Sequence, residues 1–234
     1  MVRLNLPQLL PPNPTCRECE LGNDTLNNPG VPTIHVPESL PKEPNNPCLI
    51  ILGQNPGFQE DRENRPFIGK SGDFVRRTIL NHEGLNLNAT HTIYLANVAR
   101  CCSPAGFNIK VSSYNTCWSL HSEIDFNRII AHHNSHIRVI ALGKPASIRV
   151  YQLVHPKKSP GTKIQDYFNC NGTLGAHHTL GKQLKLFFTF HPAAILRENK
   201  LAIPYSDHLE LIKRHITNVL PPITKPSFIP LEAP

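Results

Sequence analysis

The sequence predicts an α/β fold: a three-layer α/β/α sandwich with a central, mostly parallel four-stranded sheet. Two observations carry this expectation. Four short apolar runs, at residues 48–52, 92–98, 137–142 and 184–190, read as strands buried on both faces. Helix-compatible stretches separate them, the alternation that builds a parallel sheet covered on both sides. The chain has 234 residues, enough to bury a core in one domain. Residues 1–220 are expected to form that domain, and the Pro-rich residues 221–234 a tail.

Residues 1–14 read as a lead-in to Cys16-Arg17-Glu18-Cys19. Residues 25–46 are rich in Asn and Pro and read as loop. The first strand then ends in Gly53-Gln54-Asn55-Pro56-Gly57. In parallel sheets, ligands bind beyond the carboxyl ends of strands. Gly53 and Gly57 permit close backbone approach to a ligand, and Pro56 stiffens the turn between them. Asn55 offers amide donors and an acceptor but takes up no proton at ordinary pH. It can hold a water or a base without being a general base. A polar loop with Glu60 and Asp61 follows, then Arg65-Pro66-Phe67-Ile68-Gly69-Lys70-Ser71-Gly72. Glu60 and Asp61 read as loop structure rather than as acid–base catalysts. Ser71 or Asp73 reads as the N-cap of a helix over 73–82.

The second strand carries Asn97 near its C-terminal end and is broken at Arg100-Cys101-Cys102-Ser103-Pro104. A helix is expected over 114–133, with Cys117 in its first turns. The third strand leads into Gly143-Lys144-Pro145, which opens a helix to about residue 154. Residues 157–178 show little pattern and read as a hairpin or loop. The fourth strand ends at His191-Pro192-Ala193-Ala194, entering a turn or helix through Arg197. An amphipathic helix is expected over 207–220. Asn55, Asn97 and His191 therefore fall at the ends of different strands, where such a sheet places a pocket.

The net charge is +7 without a long Lys/Arg run, which suits a folded protein with a basic face for nucleic acid. No apolar run reaches membrane-spanning length, and residues 1–14 lack a signal-peptide core. A soluble, cytoplasmic monomer without membrane attachment is expected. The seven cysteines do not have the spacing of a secreted disulfide framework. Cys16 and Cys19 form a Cys-x-x-Cys pair, and Cys101 and Cys117 lie 16 positions apart (117 − 101). Four thiolates can hold zinc or an iron–sulfur cluster, and spacing alone does not choose. Separate buried thiols are the bland alternative. Cys48 reads as core, Cys170 as a loop residue, and Cys102 competes with Cys101.

These motifs, in this order from Cys16 to Arg197, resemble the iron–sulfur-containing uracil-DNA glycosylases. The resemblance rests on Cys-x-x-Cys, Gly-x-x-Pro-Gly followed by Glu-Asp, Arg-Pro-Phe-Ile-Gly-Lys-Ser-Gly, Tyr-Leu-Ala-Asn-Val, two Cys 16 apart, and His-Pro-Ala. It implies DNA as partner and a 4Fe–4S cluster held by Cys16, Cys19, Cys101 and Cys117. It implies that Phe67 stacks on an extruded base and Asn97 reads the uracil edge. His191 would contact the base oxygen that turns negative, and the stretch around Lys70 and Ser71 would touch DNA phosphate. Those enzymes usually carry Glu-Ala where this chain has Gln54-Asn55. The Gly-Gln-Asn-Pro-Gly loop instead resembles the mismatch-specific and single-strand-selective branches, whose Asn positions the attacking water. Gly57 stands where the strictest uracil enzymes place a bulky aromatic, so a 5-substituted pyrimidine has room.

The expected function is a monofunctional DNA glycosylase that flips a pyrimidine, uracil first, into a pocket and hydrolyses its glycosidic bond. Asn55 and His191 are its expected catalytic residues. Gln54, Gly57, Phe67 and Asn97 would bind the base, and Lys70, Ser71 and Arg197 the DNA. The alternatives are a glycosylase for a modified pyrimidine, a non-catalytic DNA-binding relative, and a zinc protein. Arg76, Arg77 and Lys144 are further candidates for phosphate contact, or solvated surface charges.

Overall fold

The computed structural model describes residues 6–23, 30–39, 44–103, 108–134 and 136–216. The expected tail at 221–234, the end of the last expected helix, and the start of the lead-in lie outside the described residues. The strands are β1 (Ile34–His35), β2 (Cys48–Gly53), β3 (Thr92–Asn97), β4 (Ile137–Leu142), β5 (Thr173–Ala176) and β6 (Gln183–Thr189). The four expected strands are β2, β3, β4 and β6, and they pair in parallel in the order β3-β2-β4-β6. The sheet nonetheless has six strands, because β1 and β5 close its two edges antiparallel.

Every residue of β2, β3 and β4 is buried, as continuous apolar runs require. Alternate side chains serve opposite faces. Leu49, Ile51, Ile93 and Leu95 share one core with Val75, Ile79 and Ile212. Ile50, Leu52, Tyr94 and Val139 share the other with Trp118, Phe126 and Val150. The chain leaves β2 for β3 on one side and later returns to β4 on the other. That reversal opens a crevice at the carboxyl ends of the strands.

The helices are α1 (Glu20–Asn23), α2 (Phe58–Glu63), α3 (Lys70–Val75), α4 (Val111–Cys117), α5 (Glu123–His132), α6 (Lys144–Gln152), α7 (Ile164–Phe168), α8 (Pro192–Arg197) and α9 (Ala202–Ile216). Several depart from expectation. The polar stretch at Glu60 and Asp61 is helical, because acidic residues in a first turn favour the helix dipole and Glu60 bonds the Gly57 N–H. The unpatterned stretch 157–178 contains both α7 and β5. Helix α9 begins at Ala202 rather than at 207, with Pro204 tolerated in its first turn. The long expected helix is α4 and α5 joined through a π-helical turn at Trp118–Ser122. That turn has a use: Ser122 Oγ donates to the Asn97 carbonyl at 2.8 Å, holding the end of β3. Among the described residues no helix is long and apolar enough to cross a membrane.

One buried ion pair ties this side of the fold together. Arg100 and Asp125 bond with side chains 3% and 0% exposed. Asp125 Oδ1 also accepts the Leu10 N–H at 2.7 Å, so α5 is fastened both to the lead-in and to the residue before Cys101. Asp125→Ala would leave Arg100 as an unpaired buried charge, and is expected to lower the unfolding free energy by about 3–5 kcal/mol. Urea unfolding followed by circular dichroism measures this, and an unchanged midpoint would contradict it.

Candidate active site

The carboxyl ends of the parallel strands open into one cleft of about 1090 Å³. Asn55, Phe67, Asn97 and His191 line it, and so do Gln54, Gly57, Lys70, Ser71 and Arg197. Four distant parts of the chain thus meet in one place.

The meeting depends on a missing side chain. In the parallel register Gly53 pairs with Asn97. A Cβ on Gly53 would strike Asn97 Oδ1 and would lie 2.8 Å from Phe67 Cζ. The Asn97 amide and the Phe67 ring therefore close over bare backbone. Phe67 has φ 59°, a left-handed conformation that a bulky residue rarely adopts. Strain of this kind persists only where surrounding contacts enforce it. Phe67 is 6% exposed and shares a core with Val75 and Ile79, so its ring is at once core and cleft wall. A Cβ on Gly72 would stand 2.6 Å from Phe67 Cα, so the strained turn also needs glycine there.

Glu60 enforces the loop. Its carboxylate accepts the N–H groups of Gly57 at 3.1 Å, Ile68 at 3.2 Å and Gly69 at 2.9 Å. Among the described residues it is the only carboxylate that lines the cleft, and these bonds occupy it structurally. Glu60 stands three residues after the N-cap Gly57, so only the glutamate half of a capping box is present, and the usual Ser or Thr signal is missing. Lys70, Lys144 and Arg197 line the same cleft and leave it net positive. Asn55 Nδ2 donates to the Pro56 carbonyl at 3.0 Å, which orients the amide.

His191 caps α8, and its Nδ1 accepts the Ala193 N–H at 3.2 Å. That bond assigns the tautomer: the hydrogen of the neutral ring sits on Nε2. Burial, helped by the Arg197 charge, pushes its pKa down to about 4. The ring is therefore neutral at neutral pH and acts as a donor through Nε2.

The cysteines gather elsewhere. Cys16, Cys19, Cys101 and Cys117 line a second cavity together with Arg100 and His121. Gly22 and Gly30 let the chain fold tightly around it, since a Cβ would lie 2.5 Å from the Cys16 carbonyl oxygen or 2.7 Å from the Asn13 nitrogen. The Arg100 N–H donates to Cys117 Sγ at 3.2 Å. Cys102 lines the main cleft instead, so two neighbouring cysteines serve different cavities. Among the described residues, no group of three or more His, Cys, Asp and Glu side chains forms a ready site for a single metal ion. Tyr114 was not anticipated from the sequence: its hydroxyl accepts from Gln54 Nε2 and links α4 to the loop after β2.

Residues 41–216 match the family model described as the uracil DNA glycosylase superfamily. The chain is similar to the type-4 uracil-DNA glycosylase of Saccharolobus solfataricus, 22% identical over 215 residues, covering 92% of this chain and 87% of that protein. It is similar to the type-4 uracil-DNA glycosylase of Pyrobaculum aerophilum, 26% identical over 153 residues, covering 65% and 70%. The type-4 uracil-DNA glycosylase of Thermotoga maritima is 29% identical over 149 residues, covering 64% and 66%. With its strand-end cleft and a match over three quarters of its length, this chain belongs to the uracil DNA glycosylase superfamily.

Proposed function

We propose that this protein is a monofunctional DNA glycosylase that extrudes uracil from DNA and hydrolyses its N-glycosidic bond. The observation that carries this reading is the convergence of Asn55, Phe67, Asn97 and His191 on one cleft with a basic rim. Lys70, Ser71 and Arg197 engage phosphate, which makes binding sequence-independent and salt-sensitive. Extruding a base costs about a few kcal/mol. Stacking on Phe67 offsets on the order of 1–3 kcal/mol of that. Asn97 presents donor and acceptor together to the pyrimidine edge, and Gln54 and Gly57 complete the wall.

The bond between sugar C1′ and base N1 breaks with its electron pair moving to the base, whose O2 becomes anionic. The Nε2–H of neutral His191 donates to that oxygen. Asn55 orients a water that adds to the electron-poor C1′. The water's proton passes to solvent, the base anion regains one, and free uracil and an abasic site remain. No proton-accepting side chain is needed, because the departing base makes C1′ reactive toward water itself.

The four thiols are the donor set for an iron–sulfur cluster. The four cysteines line one cavity, and an all-thiolate donor set is the one a 4Fe–4S cluster takes. Bound there, a 4Fe–4S cluster supplies a cross-link between the lead-in, the segment after β3 and α4.

A second reading is a glycosylase for a 5-substituted pyrimidine. It is favoured by Gly57, which lines the cleft without a side chain.

Uracil-containing oligonucleotide incubated with the protein and then treated with alkali should be cut at uracil. Asn55→Ala and His191→Ala should each lower kcat by about 10²–10³-fold; undiminished rates would remove the assigned roles. Faster release from oligonucleotides bearing 5-substituted pyrimidines would favour the second reading over the first. Since the neutral ring is the active form, kcat/KM should stay level from pH 8 down to about pH 5 and fall as His191 protonates near its depressed pKa. Activity rising on acidification through the ordinary histidine range would mean that the cation acts. Purified protein should carry iron and acid-labile sulfide with broad visible absorbance. Cys101→Ser should lose the iron and Cys102→Ser should keep it, and stoichiometric zinc in place of iron would overturn the cluster.

A further inference from the structure

Beside the main cleft lies another pocket, of about 580 Å³. The two are continuous, sharing Gln54, Asn55, Lys144 and Pro145 as lining residues. Gln54 Nε2 donates to Tyr114 Oη at 2.5 Å, so the catalytic loop forms part of the wall. The lining mixes polar side chains, Ser103, Asn108, Asn115 and Gln152, with apolar ones: Ile148 is half-buried, and Val111 is 71% exposed. Arg149 lines it too, donating to Gln152 Oε1 at 3.1 Å and to Asn115 Oδ1. Both hydrogen-bond partners are neutral amides, which orient the guanidinium, while the Glu123 carboxylate acts on it through its charge. Lys144 adds an exposed ammonium.

A volume of this size falls within the range of small-ligand sites, about 300–1,000 Å³. Its chemistry suits a nucleotide: the apolar surface of Val111 and Ile148 can receive the face of a base, and an oriented guanidinium receives phosphate. We propose that this pocket is a second-nucleotide subsite, which takes the nucleotide adjacent to the extruded base on the same DNA strand. The proposal rests on the glycosylase reading for the identity of the first base. The residues shared by the two pockets give it its geometry, and the cations Arg149 and Lys144 give it its ligand.

The test uses the full chain and uracil oligonucleotides in which the nucleotide on the 5′ or the 3′ side of uracil is replaced by a stable abasic analogue. Binding is read by fluorescence anisotropy and release by alkali cleavage. Loss of the base on one side should weaken binding and raise KM about tenfold, with kcat kept. Val111→Ser and Arg149→Gln should weaken binding of the intact oligonucleotide similarly, and in these variants the abasic replacement should have little further effect. The subsite is overturned if neither replacement changes Kd or KM beyond twofold. It is also overturned if the variants weaken substituted and intact oligonucleotides equally. The two readings fail separately. Flank-dependent binding without base release from any oligonucleotide sinks the glycosylase and keeps the subsite. Release that ignores both flanks does the reverse.

Discussion

The bare backbone at Gly53 is the constraint on which the site depends. Parallel pairing sets Gly53 opposite Asn97, and only a residue without Cβ lets the Asn97 amide and the Phe67 ring share that space. From this contact the rest follows outward. Phe67 must turn into a left-handed conformation to reach over the strand end, and the chain after it must pass so close that Gly72 has no room for a side chain. The strain of one such residue is about 1–3 kcal/mol. Three N–H bonds to a carboxylate, each worth about 1.5–3 kcal/mol, outweigh it. Glu60 makes those three bonds, so this buried acid holds the loop in its strained form, as its reading as loop structure expects.

The same division of labour appears on the cysteine side. Arg100 and Asp125 are buried charges with no place in the cleft chemistry; they clamp α5, the lead-in and the segment that carries Cys101. Breaking such a pair is costly because it strands the survivor, even where forming it contributes little net stability. Glu60, Arg100 and Asp125 therefore fix loops and segments, and the groups facing the cleft floor are neutral: two asparagines, one aromatic ring and an uncharged imidazole.

Which parts were legible in the sequence follows from the same physics. Strands β2, β3, β4 and β6 were readable because burial on both faces leaves a continuous apolar run. Strands β1 and β5 were not: β1 has two residues, and β5 is only half-buried and carries Gly175. Helix α2 was missed because its cap uses a glycine backbone and a glutamate three residues on, rather than a Ser or Asp side chain. The strand-end positions of Asn55, Asn97 and His191 were legible because each stands at or just beyond the end of an apolar run. The contact between Gln54 and Tyr114, 60 residues apart, has no local signal. Cys101 and Cys102 are chemically identical neighbours, and only the direction of the chain after β3 sends one to the cysteine cavity and the other to the cleft.

A neutral cleft floor suits the proposed chemistry better than a charged one. Burial strengthens a hydrogen bond to a developing anion, and the same burial removes the solvent that an imidazolium would need. Arg197 nearby pushes in the same direction. His191 can then be a strong donor only as the neutral ring, and the Ala193 N–H on Nδ1 already holds the donor hydrogen on Nε2, so little reorganisation is left for the moment of bond breaking. An amide at position 55 fits the same logic. A carboxylate there would stand near Glu60 in a cleft that must admit phosphate, raising repulsion with both. Asn55 can orient water without that charge, and once the base has left, orientation is all that the water requires.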